Sequence, residues 1–129
     1  MTVKFNVYDS KNLTSFTLTG EVTIEDLVDI LDQYLKTGST RFRVFDISEG
    51  KIVGLMSVHF DMITDWVKNN DDKRPAGTKT AFIVSKDADY DTMKFFYKMT
   101  AIEGKTWDAR MFHSLIEAYQ WLNILPEEP

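Results

Sequence analysis

Apolar residues alternate with polar ones near the start of the chain, then shift to three-and-four spacing, and that switch of period recurs several times. VKFNVY (3–8) alternates, DSKN (9–12) carries turn chemistry, and LTSFTLT (13–19) resumes with Phe16 and Leu18 two apart. Successive side chains of a strand point to opposite faces, so this pattern predicts a β-hairpin with one wet face. Gly20 is expected to end it.

VTIEDLVDILDQYLKTG (22–38) reads as a helix. Ile24, Leu27, Val28, Leu31, Tyr34 and Leu35 form one apolar stripe at helical spacing. Thr23 with Asp26 makes an acidic variant of the capping box, and Gly38 is the expected stop. Glu25, Asp29, Asp32 and Lys36 occupy the opposite face. They read as solvated, with Asp32–Lys36 as a pair one turn apart.

FRVFDI (42–47) predicts a short strand, followed by a polar turn. SVHFDMITDWVKNN (57–70) returns to helical spacing through Val58, Met62, Ile63, Trp66 and Val67, and DDKRPAG (71–77) breaks the chain. KTAFIVS (79–85) is almost unbroken in apolar character, which predicts a strand covered on both faces with Ala81 to Val84 all buried. KDADYDTMKFFYKMTAIEG (86–104) is a third helix, with Asp87 or Asp89 as its cap and Gly104 as its stop. TWDARMF (106–112) is a last strand, with Trp107, Ala109 and Met111 on one side. SLIEAYQWLN (114–123) is a short helix opened by the capping box Ser114-x-x-Glu117. The order β-β-α-β-α-β-α-β-α implies one α/β domain over residues 1–129. Its sheet should be mainly parallel and four-stranded, with an extra antiparallel N-terminal edge strand.

Composition narrows the chemistry. At 129 residues the chain can bury a real core without staples. Cysteine is absent, which excludes disulfides, thiol nucleophiles and Cys-based metal sites and fits a cytoplasmic setting. The N-terminus has no apolar run of the kind a signal peptide or membrane anchor needs. Net charge is −5, and the densest basic patches, Arg41/Arg43 and Lys73/Arg74, hold two residues each. A surface that tracks phosphates needs a basic face, so binding to nucleic acid or to an anionic membrane is not expected, and with no apolar run neither is membrane insertion.

In a parallel sheet the carboxyl ends of the strands share one rim with the N-termini of the following helices, and ligands most often bind there. Thr23, Asp46, Ser57, His59, Asp61, Ser85, Asp87, His113 and Ser114 fall on or near that rim. Two histidines with several acids are in principle able to hold a metal or exchange protons. Helix capping accounts for the same residues, apart from Asp46 and the histidines. No His-x-x-x-His spacing backs a metal, no Gly-x-Ser-x-Gly elbow surrounds Ser57, and no phosphate loop is present, so no cofactor is expected. A phospho-acceptor receiver domain would need an acidic pair after the first parallel strand and a lysine ending the last. Thr19-Gly20-Glu21 and Phe112-His113 stand there instead.

The ordered pieces GEVTIEDLVDILDQYL, FRVFDIS, KTAFIVS and MFHSLIEAYQWLN together resemble the SpoIIAA-like, or STAS-like, proteins, which include bacterial anti-sigma-factor antagonists. The ending Phe112-x-Ser114-x-x-Glu117-Ala118-x-x-Trp121-Leu122 looks like the tail of a bacterial branch of unassigned activity. The resemblance implies a βα superhelix that works without catalysis, by docking a protein partner such as a kinase or a sigma-factor regulator. In the antagonists a serine opening the second helix, within Asp-Ser-Ser-Gly, is phosphorylated to break the complex. The corresponding segment here is Gly54-Leu55-Met56-Ser57-Val58, where only Ser57 matches. Ser57 is therefore the phospho-acceptor candidate, and Asp46, Ser57, His59, Asp61, Ser85, Asp87 and His113 form the docking rim.

Three functions compete on this reading. The first is a regulatory or scaffold domain that docks partners. The second is a carrier of a small apolar ligand or lipid, with Tyr90, Met93, Phe96 and Tyr97 lining a pocket near residues 90–102. The third is an enzyme using His59 or His113. The apolar surplus on 90–102 further predicts a homodimer. Ser57 itself is expected to cap helix 58–69, its hydroxyl accepting from the N–H of His59 or Phe60.

Overall fold

The computed structural model describes residues 1–36 and 40–124, so the expected stop at Gly38 lies outside the described residues. Strand β1 (Thr2–Tyr8) turns through Asp9–Lys11 and a left-handed Asn12 into β2 (Leu13–Val22). Then follow α1 (Ile24–Lys36), β3 (Phe42–Asp46), β4 (Gly50–Ile52), α2 (Val58–Asn70) and β5 (Lys79–Ile83). The chain continues with α3 (Tyr90–Thr100), β6 (Ala109–Phe112) and α4 (Leu115–Leu122). The sheet runs β1-β2-β3-β5-β6, antiparallel between β1 and β2 and parallel elsewhere. This is the expected α/β architecture. Among the described residues no helix is long and apolar enough to cross a membrane.

Two local departures sit at the rim. Gly20 does not end β2. Its φ of +79° is open to glycine at little cost, and the strand continues to Val22 in a new direction. There it leaves β1 and takes β4 as a parallel partner, Gly20 opposite Gly50 and Val22 opposite Ile52. The segment after Asp46 is thus a turn followed by a three-residue strand.

Helices α1, α2 and α3 cover one face of the sheet and α4 the other, which gives two cores. β5 is dry on both faces, with Ala81 to Val84 all buried as expected. On the larger face, the paired positions Phe5, Phe16, Phe45, Phe82 and Met111 form one row across all five strands. Its rings follow one another at 6.2, 4.8 and 5.4 Å between centroids. The next row is Val7, Thr14, Arg43, Thr80 and Ala109. The hairpin does not hide its apolar side as the alternation predicts. Val3, Phe5 and Val7 are exposed, because α1 stops short of the edge strand.

The helix signals hold in part. Thr23 and Asp26 bond reciprocally at 3.1 Å, closing the box that opens α1. The Ser114 hydroxyl accepts from the Glu117 N–H at 3.2 Å and starts α4. Asp89 caps α3 by accepting from the Thr92 N–H at 2.7 Å. α3 ends before Gly104, which serves packing instead: a Cβ there would lie 2.9 Å from Asp71 Oδ1. The acids of α1 are not merely solvated. Glu25 meets His59 at 3.1 Å, and Asp32 accepts from Trp66 Nε1 at 2.6 Å. Both contacts span 34 positions, one and the same offset two turns apart, as parallel neighbouring helices require.

The amino end of the sheet holds buried cations. Arg43 is 1% exposed and lies against the rings of Tyr34, Trp66 and Trp107 at 5.1, 5.9 and 5.5 Å, while its Nε donates to Thr80 Oγ1. Burial, then the nearby Arg74 guanidinium, holds the Arg43 pKa well below its ordinary value. Arginine's intrinsic value is high enough that the group stays charged, with the aromatic faces in place of a counter-ion. Arg74 is buried too, and its Nη2 donates to the carbonyls of Thr40 and Arg41. Each basic pair noted in the sequence therefore loses one member to the interior.

Candidate functional site

The rim residues come from the ends of β3, β5 and β6 and the starts of α2 and α3. Asp46 closes β3 and accepts from both the N–H and the hydroxyl of Ser48, at 3.0 and 2.6 Å, which bends the chain toward β4. After β5, Ser85 Oγ accepts from the Asp87 N–H at 3.1 Å. His113 Nδ1 lies 2.8 Å from the Val84 carbonyl, so this nitrogen carries the hydrogen and ties the end of β6 to that of β5.

His59 has a different task. It is buried, and its Nδ1 accepts from the Met56 N–H at 2.8 Å. That bond fixes the hydrogen on Nε2, which donates to Glu25. The Glu25 carboxyl lies below its ordinary value, first through its own backbone N–H and then through His59. The histidine thus caps α2 and pins it to α1.

This geometry corrects the reading of Ser57. Its backbone is already helical (φ −59°, ψ −31°), so the hydroxyl does not fold back, and it makes no capping bond. Ser57 is exposed, and so are its neighbours Met56 (65%) and Val58 (54%). Val58 is therefore off the apolar stripe where the periodicity put it, and His59 takes the inward position.

Two clefts open on this rim. One, of about 600 Å³, lies between the β4 segment and the start of α3. Ile47, Ile52, Val84 and Phe96 line it together with polar Ser85 and Asp87. The other, of about 490 Å³, lies between α2 and α3 and brings Ser57 and Asp61 together with Lys94 and Lys98. The rim candidates thus divide. Ser85 and Asp87 belong to the first cleft, Ser57 and Asp61 to the second, while Asp46, His59 and His113 are occupied in turns and ties. Among the described residues no three His, Asp or Glu side chains gather as a metal site.

The four residues suggested for a ligand pocket are not brought together. Phe96 is fully buried, Met93 packs half-buried on the core, and Tyr90 and Tyr97 are 76% and 61% exposed. Two features went unnoticed in the sequence: the exposed apolar pair flanking Ser57, and the two lysines of α3 across from it. The signal for the first is Met56, an apolar residue outside the helical stripe.

No family model matches the sequence, and no curated protein matches it either. Solved structures do. An anti-sigma factor antagonist from Mycobacterium paratuberculosis superposes with a TM-score of 0.62 at 14% identity, over 95% of this chain and 93% of that one. The chain has the SpoIIAA-like fold. An uncharacterised DUF3478-family protein with a SpoIIAA-like fold, from Shewanella loihica, matches at 0.53 and 13%, over 94% and 92% of the two chains. SpoIIAA in its unphosphorylated form matches at 0.53 and 9%, over 95% and 98%. At such identities the likeness is one of fold, and the SpoIIAA-like domain's own side chains must carry any functional argument.

Proposed function

We propose that this SpoIIAA-like domain is a non-enzymatic regulatory module that docks a protein partner over the start of α2. The observation that carries the reading is the exposed trio Met56, Ser57 and Val58 beside the α2–α3 cleft. Two exposed apolar side chains on a helix start are anchors for a partner, since burying them releases water. Lys94 and Lys98 across the cleft supply charged rim contacts, which steer encounter and set orientation.

The same arrangement suits a phosphorylation switch at Ser57. A phosphate there adds roughly −1.5 to −2 charges between two anchors that docking would desolvate. In the free domain Lys94 and Lys98 would receive it. The modification would therefore favour the undocked state. The structural neighbours named as antagonists agree with a role in sigma-factor regulation.

Affinity capture from the native host tests this with wild type, Met56→Asp and Ser57→Glu. A protein retained by wild type and lost with both variants is the expected result. Equal retention by all three would overturn docking at this site. Intact-mass analysis with a phosphate mapped to Ser57 tests the switch separately.

A further inference from the structure

Another exposed apolar surface lies away from that rim, on the edge of the sheet. Val3, Phe5 and Val7 project from the same side of β1 and are 36%, 65% and 50% exposed. They stand on the face that carries the main core, and Phe5 is the open end of the row Phe5–Phe16–Phe45–Phe82. Between β1 and α1 runs a groove of about 230 Å³, walled by Phe16, Ile30, Gln33 and Tyr34. None of its lining residues is charged, in a chain of net charge −5.

We propose that a second copy of this chain occupies the groove, forming a two-fold dimer through β1 and the flank of α1. An interface about a two-fold axis uses one patch twice, so the patch must be complementary to itself. This one carries a projecting ring, Phe5, directly beside an apolar groove of the right character to receive it. A two-fold axis seats each Phe5 against Phe16, Ile30 and Tyr34 of the other copy.

Charge selects the same occupant. A neutral patch lets two copies of like net charge approach without local repulsion, and this is one. Asp29 and Lys36, both exposed, lie on one side of α1, two turns apart, on either side of Gln33. An axis crossing near Gln33 runs the two α1 helices antiparallel and brings Asp29 of each copy toward Lys36 of the other. Opposite charges then rim an apolar centre at both ends. The interface shares no lining residue with either rim cleft, so the dimer would display two docking rims.

Sedimentation velocity over rising concentration, up to the millimolar range, tests the proposal. Wild type is expected to pass from monomer to dimer. Phe5→Lys should weaken self-association by roughly tenfold or more, as loss of a central aromatic anchor does. Val7→Lys, on the same exposed face, provides an independent variant, and thermal melts confirm that both fold. Because the chain lacks cysteine, Gln33→Cys offers a single thiol, and mild oxidation should link two copies covalently. A wild type that stays monomeric throughout overturns the proposal and leaves the groove to a segment of another protein. A dimer unaffected by both lysine variants overturns it as well, and points to the tyrosines of α3.

Discussion

At the carboxyl end of the strands, Ser48 bonds Asp46, Asp87 bonds Ser85 and Thr92 bonds Asp89, each over two or three positions. At the amino end Arg43 reaches Thr80, Thr14 reaches Thr40 and Arg74 reaches Tyr34, over 37, 26 and 40 positions. Polar groups thus serve the two ends differently. Local bonds satisfy much of the rim's backbone, while its distant ties, His59 to Glu25 and His113 to Val84, run to α1 and β5 rather than across the clefts between α2, α3 and β4. Distant bonds at the base knit α1, β3, β5 and the loop before β5 into one closed block. The open rim is kept apart from the base contacts that hold the fold.

If that division is right, substitutions at the base cost stability and those at the rim do not. Trp107→Ala should have the largest effect, about 3–5 kcal/mol, because it empties a buried site shared by Arg43, Phe82 and Trp66. Urea unfolding measures it, and a loss close to zero would remove the base as the structural block. Tyr34→Phe should cost about 1–3 kcal/mol, since the Thr40 N–H and the Arg74 guanidinium lose a buried oxygen.

His59→Ala, at the boundary between the two regions, should cost about 1–2 kcal/mol through the lost Met56 cap and the lost tie to α1. Chemical denaturation of this variant beside Ser57→Ala sharpens the contrast. Ser57→Ala should be the mildest, within about 0.5 kcal/mol of wild type, because its hydroxyl caps nothing. A cost near 1 kcal/mol would restore the capping role that the sequence suggests.

Acid provides a further probe of the base. The N–H groups of Thr106 and then Lys105 hold the Asp71 carboxyl below the ordinary value of 3.8. A depressed folded value contributes stability that is complete above the unfolded one and is lost as pH falls through the folded one. Stability measured below pH 3.8 should therefore fall less steeply for Asp71→Asn than for wild type. Parallel slopes would show that the loop before β5 is not tied through this carboxylate.

Much of this fold was legible in periodicity, because stripes such as Ile24–Leu27–Leu31 and runs such as Ala81–Val84 reflect burial directly. What escaped has physical causes. β4 is three residues long and gains its place from backbone pairing with β2 beyond Gly20, which leaves no side-chain pattern. Arg43 and Arg74 are charged, and charge in a sequence reads as surface. Three aromatic rings, drawn from α1, α2 and the segment before β6, make an interior for Arg43. The role of Ser57 turned on its backbone angles, which composition does not encode. The exposed faces of β1 were missed for a similar reason: alternation marks an apolar side but not whether a helix reaches far enough to cover it.

The aromatic cage around Arg43 also makes the domain optically legible. Trp66 and Trp107 sit edge to face at 6.3 Å, each against that guanidinium, while Trp121 lies on the opposite side of the sheet near Phe112, Lys79 and Arg110. The indole emission of this chain therefore has two sources, one for each core. With Trp66 and Trp107 both replaced by Phe, the remaining fluorescence would report on α4 alone. Comparison with the parent signal during unfolding would then show whether the two faces of the sheet come apart together or in turn.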